Sequence, residues 1–169
     1  MGVVLLLTLL VFLPNTADGG RNQVCPEGWR KGGSKCFKLV DEKTETPDAH
    51  RRCKNNHKAS LAVIENEAEN KVVQDLLGGQ SSAWIGLRRK YGSYKWNNEY
   101  EFQYSYSNWA SGRTYGECVM ILSTGEWRRS YCFLDRPYVC FKKADCEPGW
   151  TGDRCDRQCH CYQGYVCNV

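Results

Sequence analysis

Eleven cysteines fall within a chain of 169 residues. Reducing compartments do not sustain that density, so it implies a disulfide framework formed under oxidising conditions. The amino terminus points to the same compartment. Val3 to Leu13 is an apolar run of eleven residues, too short to cross a hydrocarbon core of about 30 Å as a helix. No Lys or Arg precedes it, but Pro14, Ala17, Gly19 and Gly20 follow as small residues suited to cleavage. We expect a signal peptide over residues 1–19 and a secreted mature protein with no membrane span.

Charge is modest and uneven. Residues 25–143 carry 20 Lys/Arg against 14 Asp/Glu, a net +6, and residues 144–169 a net −2. That balance can favour anionic partners, but it is not a nucleic-acid footprint, and no nucleic-acid partner is expected. Ordinary solubility charge is the plainer account.

Cys25-Pro26-Glu27-Gly28-Trp29 opens the folded part. Lys31-Gly32-Gly33-Ser34 predicts a turn, and Lys35 to Val40 alternates as a half-buried strand does, so that Cys25 and Cys36 flank a hairpin. A short helix is predicted near Pro47, with Thr46 as its cap and Ala49 and Cys53 on one face. A second follows Asn66-Glu67-Ala68-Glu69, which has capping-box spacing. Ala68, Val72, Val73, Leu76 and Leu77 give it an apolar stripe, and Gly78-Gly79 ends it. Its acids complement the helix dipole and read as a solvated start. A strand from Ala83 to Leu87 and the basic run Arg88-Arg89-Lys90 come next. From Phe102 to Tyr106 aromatics recur at every second position, a pattern that suits packing under a loop or stacking on a ligand ring.

Trp84-Ile85-Gly86-Leu87, Asn108-Trp109, Cys118, Trp127, Cys132 and Pro137-Tyr138-Val139-Cys140, in that order behind two helices, closely resemble the C-type lectin-like domain over about residues 25–143. The resemblance implies an α+β fold of two helices, mixed antiparallel sheets and a long loop between Trp96 and Cys118. It also implies the pairings Cys25–Cys36, Cys53–Cys140 and Cys118–Cys132.

Sugar-binding members of that family carry Glu-Pro-Asn or Gln-Pro-Asp in the long loop and Trp-Asn-Asp before the fifth framework cysteine, and these oxygens hold Ca²⁺. Here the corresponding positions read Arg113-Thr114-Tyr115 and Trp127-Arg128-Arg129. Glu117 is the one nearby acid, and it stands one residue closer to the cysteine than the family's acid does. Ca²⁺ takes about six to eight oxygen ligands, whereas arginines bring permanent positive charge. We therefore expect no metal and no cofactor. The candidate ligand-binding residues are Arg113, Tyr115, Glu117, Arg128 and Arg129. The three arginines either cluster at the old calcium position and grip an anionic glycan or acidic protein patch, or they are solvated surface charge.

The segment 144–169 contains Cys146-Glu147-Pro148-Gly149-Trp150-Thr151-Gly152-Asp153-Arg154-Cys155. It resembles the carboxy-terminal hairpin of an EGF-like repeat, which implies a Cys146–Cys155 bond. Cys159-His160-Cys161 and Cys167 read like the opening of another, incomplete repeat. Five cysteines there leave one spare, able to join a second chain, and a zinc site at Cys159-His160-Cys161 does not suit a secreted disulfide-rich setting.

The three histidines, His50, His57 and His160, accompany no nucleophile motif, and no phosphate loop or metal-ligand spacing appears. An enzyme is not expected. The chain reads as a secreted lectin-like recognition protein for a glycan or an extracellular protein. The alternatives are a subunit of a disulfide-linked oligomer and the extracellular fragment of a longer adhesion receptor.

Overall fold

In a computed structural model, residues 22–96 and 106–159 are described. The expected signal peptide, the aromatics from Phe102 to Tyr104, and His160, Cys161 and Cys167 of the tail lie outside the described residues.

The chain is built outward from one sheet. β3 (Lys35–Thr44) and β9 (Arg136–Lys143) pair antiparallel, with Phe37 opposite Phe141 and Leu39 opposite Val139, so the start and end of the domain are neighbours. β2 (Arg30–Gly32) flanks β3, and β4 (Ser60–Leu61) adds to β9. On the other side of β9 come β5 (Ser82–Lys90), β7 (Cys118–Leu122) and β8 (Trp127–Ser130), with β6 (Ser93–Trp96) hairpinned onto β5. β5 runs three residues beyond the Ala83–Leu87 read from the sequence and includes the basic run. Gly86 has a packing reason: a Cβ there would lie 2.8 Å from the Leu61 carbonyl oxygen, because β5 crosses that segment at close range.

Strand alternation divides the core between the two faces of the sheet. Ala83, Ile85 and Leu87 of β5 join Val119, Ile121, Trp127 and Val139 on one face, where α2 (Glu67–Leu76) packs with Val73. Trp84, Cys118, Met120 and Tyr138 join Ala49 and Cys53 of α1 (Thr46–His57) on the other. The Trp84 indole N–H is held by the carbonyls of Thr44 and Leu134, at 3.1 and 3.2 Å.

The helix starts differ from expectation in detail. Glu45, not Thr46, occupies the N-cap of α1 and makes no side-chain cap, while Pro47 stands in the first turn. Thr46 instead donates its backbone N–H to the Cys132 carbonyl at 2.9 Å. In α2, Asn66 does cap, accepting the Glu69 N–H at 2.9 Å. Glu69 is not solvated, however. It is 4% exposed, bonds Lys35 Nζ at 2.9 Å and accepts the Glu65 N–H at 2.8 Å. Ala68 of the expected stripe is exposed, whereas Asn70 is buried.

Among the described residues four disulfides close the framework: Cys25–Cys36, Cys53–Cys140, Cys118–Cys132 and Cys146–Cys155. Their Cα separations of 5.6, 5.5, 5.2 and 5.3 Å suit unstrained bridges. Beyond the sheet, β10 (Asp145–Cys146) pairs with β1 (Gln23–Val24), and β11 (Trp150–Thr151) pairs with β12 (Arg157–Gln158). Asn22 Nδ2 donates to the Cys155 carbonyl at 3.1 Å, tying the tail to the start of the domain.

Candidate functional site

The segment from Tyr106 to Glu117 is fastened to β8 at its base. Trp127 donates its backbone N–H to the Asn108 carbonyl at 2.6 Å, and Ala110 donates to the Trp127 carbonyl at 2.9 Å. The Asn108 side chain adds a bond to the Gly125 carbonyl at 2.9 Å. The Trp127 indole is fully buried, with Trp96, Tyr106 and Trp109 edge-on to it at 5.9, 5.7 and 5.7 Å. Its N–H donates to Asn70 Oδ1 at 2.8 Å. Buried indoles need such a partner, and Asn70 supplies it while donating its own amide to the Gly125 carbonyl at 2.9 Å. The Asn-Trp pair and Trp127 are thus the scaffold under the loop.

Above that base stand the candidate residues. Arg113 and Tyr115 are exposed, and Thr114 is half-buried between them. At Gly116, φ is +89° and a Cβ would lie 2.1 Å from the Ser130 carbonyl oxygen, so the chain presses directly onto β8 there. Arg129 completes the attachment. Its Nε donates to Thr114 Oγ1 at 3.0 Å and its Nη2 to the Thr114 carbonyl at 2.6 Å, with Nη1 3.5 Å from the Gly116 carbonyl. A planar guanidinium fork suits such a set of converging acceptors. Glu117 turns the other way: its carboxylate pairs with Arg88 at 3.0 Å and its carbonyl accepts the Arg89 N–H at 2.7 Å.

The three arginines are not drawn into one cluster. Arg128 lies opposite Met120 and Arg129 opposite Val119, so they leave β8 on opposite faces, Arg128 on the α1 side and Arg129 on the α2 side. Arg129 is engaged with the loop, while Arg113 and Arg128 stand exposed. Arg88, which holds Glu117, is a partner that motif reading missed; strand alternation around the basic run was the available signal.

Other titratable groups among the described residues are shifted from their usual values. His57 ends α1 edge-on to Trp29 at 6.1 Å, and burial, followed by the charge of Lys38, pushes its imidazole below the usual pKa. Tyr138 and Tyr106 are pushed above theirs, chiefly by burial. Among the described residues no three His, Cys, Asp or Glu side chains are grouped to hold a metal ion. No helix among them is long and apolar enough to cross a membrane.

Known proteins resemble both the sequence and this geometry. The family model of the lectin C-type domain matches residues 42–142. Asialoglycoprotein receptor 2 of Rattus norvegicus is 28% identical over 147 residues, which cover 81% of this chain and 46% of that protein. Ladderlectin of Oncorhynchus mykiss is 32% identical over 128 residues, covering 70% and 64%. The cow C-type carbohydrate-recognition domain of CD23, solved in the presence of a GlcNAc2Man3 oligosaccharide, superposes with a TM-score of 0.65 at 28% identity, over 73% of this chain and 99% of that one. The chain spans about half the length of the first of these curated relatives.

Proposed function

This chain belongs to the lectin C-type domain family, and from that premise we propose that it is a secreted, non-enzymatic recognition protein that binds a glycan or extracellular protein ligand without calcium at the family's sugar position. The observation that carries the reading is the Arg129 guanidinium, bonded to Thr114 and 3.5 Å from the Gly116 carbonyl. Those loop carbonyls face a cation supplied by the chain itself. Calcium does not fit the side chains at this position: Arg113, Tyr115, Arg128 and Arg129 offer no carboxylate, and the Glu117 carboxylate is engaged by Arg88. A hard divalent ion needs about six to eight oxygens.

In this reading residues 1–19 are a cleaved signal peptide, 25–143 the recognition domain, and 144–169 an EGF-like tail. The oligosaccharide present with the CD23 domain supports a glycan as ligand, and the exposed Arg113 and Arg128 support anionic sugars among the candidates. A glycan array probed with Ca²⁺ and again with EDTA tests the proposal. The same ligands are expected in both conditions; mannose or galactose binding that vanishes in EDTA would overturn it.

A second reading has its own observation. Cys159 has no disulfide partner among the described residues, which favours a covalently linked subunit; a dimer on a non-reducing gel that reduction abolishes would support it.

A further inference from the structure

The β5–β6 hairpin breaks local rules in a way that its packing does not explain. Lys90 pairs with Ser93 across a two-residue turn in which Tyr91 has φ +50° and Gly92 φ +85°. Positive φ at both central residues is the type I′ geometry, which favours Asn-Gly. Here the first position holds a tyrosine, in a conformation that L side chains resist, and its ring is 95% exposed. Lys90 Nζ sits 5.4 Å from that ring's centroid. Two residues further along the strands, Arg88 lies directly opposite Lys95, a like-charge pair that disfavours a hairpin.

Alternation sorts these side chains. Leu87 and Trp96 are paired and buried in the core, whereas Arg88, Lys90 and Lys95 share the outward face. Among the described residues no carboxylate pairs with Lys90 or Lys95, and Arg88 alone has an acid, Glu117. At the foot of Arg88 a cavity of about 290 Å³ opens beneath the first turn of α1, lined also by Thr46 and His50. Thr46 Oγ1 and His50 Nδ1 are buried without a hydrogen-bond partner among the described residues, so this wall retains unused polar capacity.

We propose that this hairpin face is a second binding surface, separate from the loop of Arg113 to Glu117, for a sulfated polysaccharide. The strand positions that carry its cations are about 5 Å apart across the strands and about 7 Å apart along them, a row of charge that suits a linear polyanion rather than one small ion. The Tyr91 ring gives a sugar an apolar face to rest on. Four disulfides belong to an oxidising compartment, where sulfated glycans rather than nucleic acids are the polyanions met. Local strain and like-charge opposition persist where a ligand, not the fold, uses them.

Heparin-affinity chromatography of the secreted chain tests this. The wild type is expected to be retained at low salt. K90Q/K95Q is expected to bind about tenfold more weakly and to elute earlier. E117Q, which releases Arg88, is expected to elute later. Y91N puts the preferred residue into the turn, so it is expected to melt at a higher temperature yet bind more weakly, an outcome that loss of folding cannot imitate. The proposal is overturned if the wild type is not retained or if K90Q/K95Q elutes with it. It is likewise overturned if R113Q/R128Q abolishes retention alone, or if polyglutamate displaces the protein as well as heparin does. The calcium dependence of array binding concerns the other surface and the K90Q/K95Q elution concerns this one, so either proposal can fail without the other.

Discussion

Arg129 is half-buried, and its guanidinium makes bonds of 3.0 and 2.6 Å to one residue of the loop it faces, Thr114. Hydrogen bonds from a charged donor contribute about 1.5–3 kcal/mol each when well shielded, and partial exposure reduces that. R129A is therefore expected to lower unfolding free energy by about 1–3 kcal/mol in a urea titration. R129K is expected to recover little, because an ammonium lacks the planar fork. Wild-type stability in R129A would mean that the loop is held by its base at Asn108 and Ala110 and its contact at Gly116, without Arg129. Read from the sequence, Arg113, Arg128 and Arg129 replace calcium-ligand positions and either cluster there or stand as solvated surface charge. The period of two along β8 separates Arg128 from Arg129, and sequence adjacency does not reveal that until the strand is placed.

At the scale of the element, α2 is joined to β3 by charge as well as by Val73. Lys35 Nζ reaches Glu65 at 2.6 Å, Glu69 at 2.9 Å and the Val63 carbonyl at 3.2 Å, with Lys35 and Glu69 both buried. Removing one partner of a buried pair leaves an uncompensated charge, so K35A is expected to cost about 3–5 kcal/mol. K35M/E69Q keeps an acceptor for the Glu65 N–H and removes both charges, so it is expected to return most of that loss. A double variant that is no more stable than K35A would contradict this account. The helix itself was legible from Asn66, Val73 and Leu77, because a cap and a 3.6-residue stripe are local signals. The burial of Glu69 and Asn70 was not, since Lys35, Gly125 and Trp127 lie 34, 55 and 57 residues away in the chain. The basic run after Leu87 was visible as composition, but its place on β5, and so its outward face, came only with the hairpin register.

For the whole molecule, the pairing of β3 with β9 and the bond between Cys53 and Cys140, 87 residues apart, close the domain on itself. Such a loop restricts the unfolded chain by about 4.6 kcal/mol in the entropy model. That closure was readable as a resemblance, because the tryptophans and cysteines that make it fall at recognisable places. The ligand was not readable, because the residues between Ser111 and Glu117 depart from the pattern that would have named one. What the fold supplies is a loop tied down from within, by Asn108 and Ala110 at its base and Arg129 at its tip. A calcium-dependent relative gains stability from the ion, by about 2.7 kcal/mol at a hundredfold excess over its dissociation constant. The most direct measurement is therefore the melting temperature of the intact chain in EDTA and in millimolar Ca²⁺. We predict the same temperature in both. A rise with Ca²⁺ that saturates would contradict the account, because it would show that the loop still holds the ion that Arg129 is taken to replace.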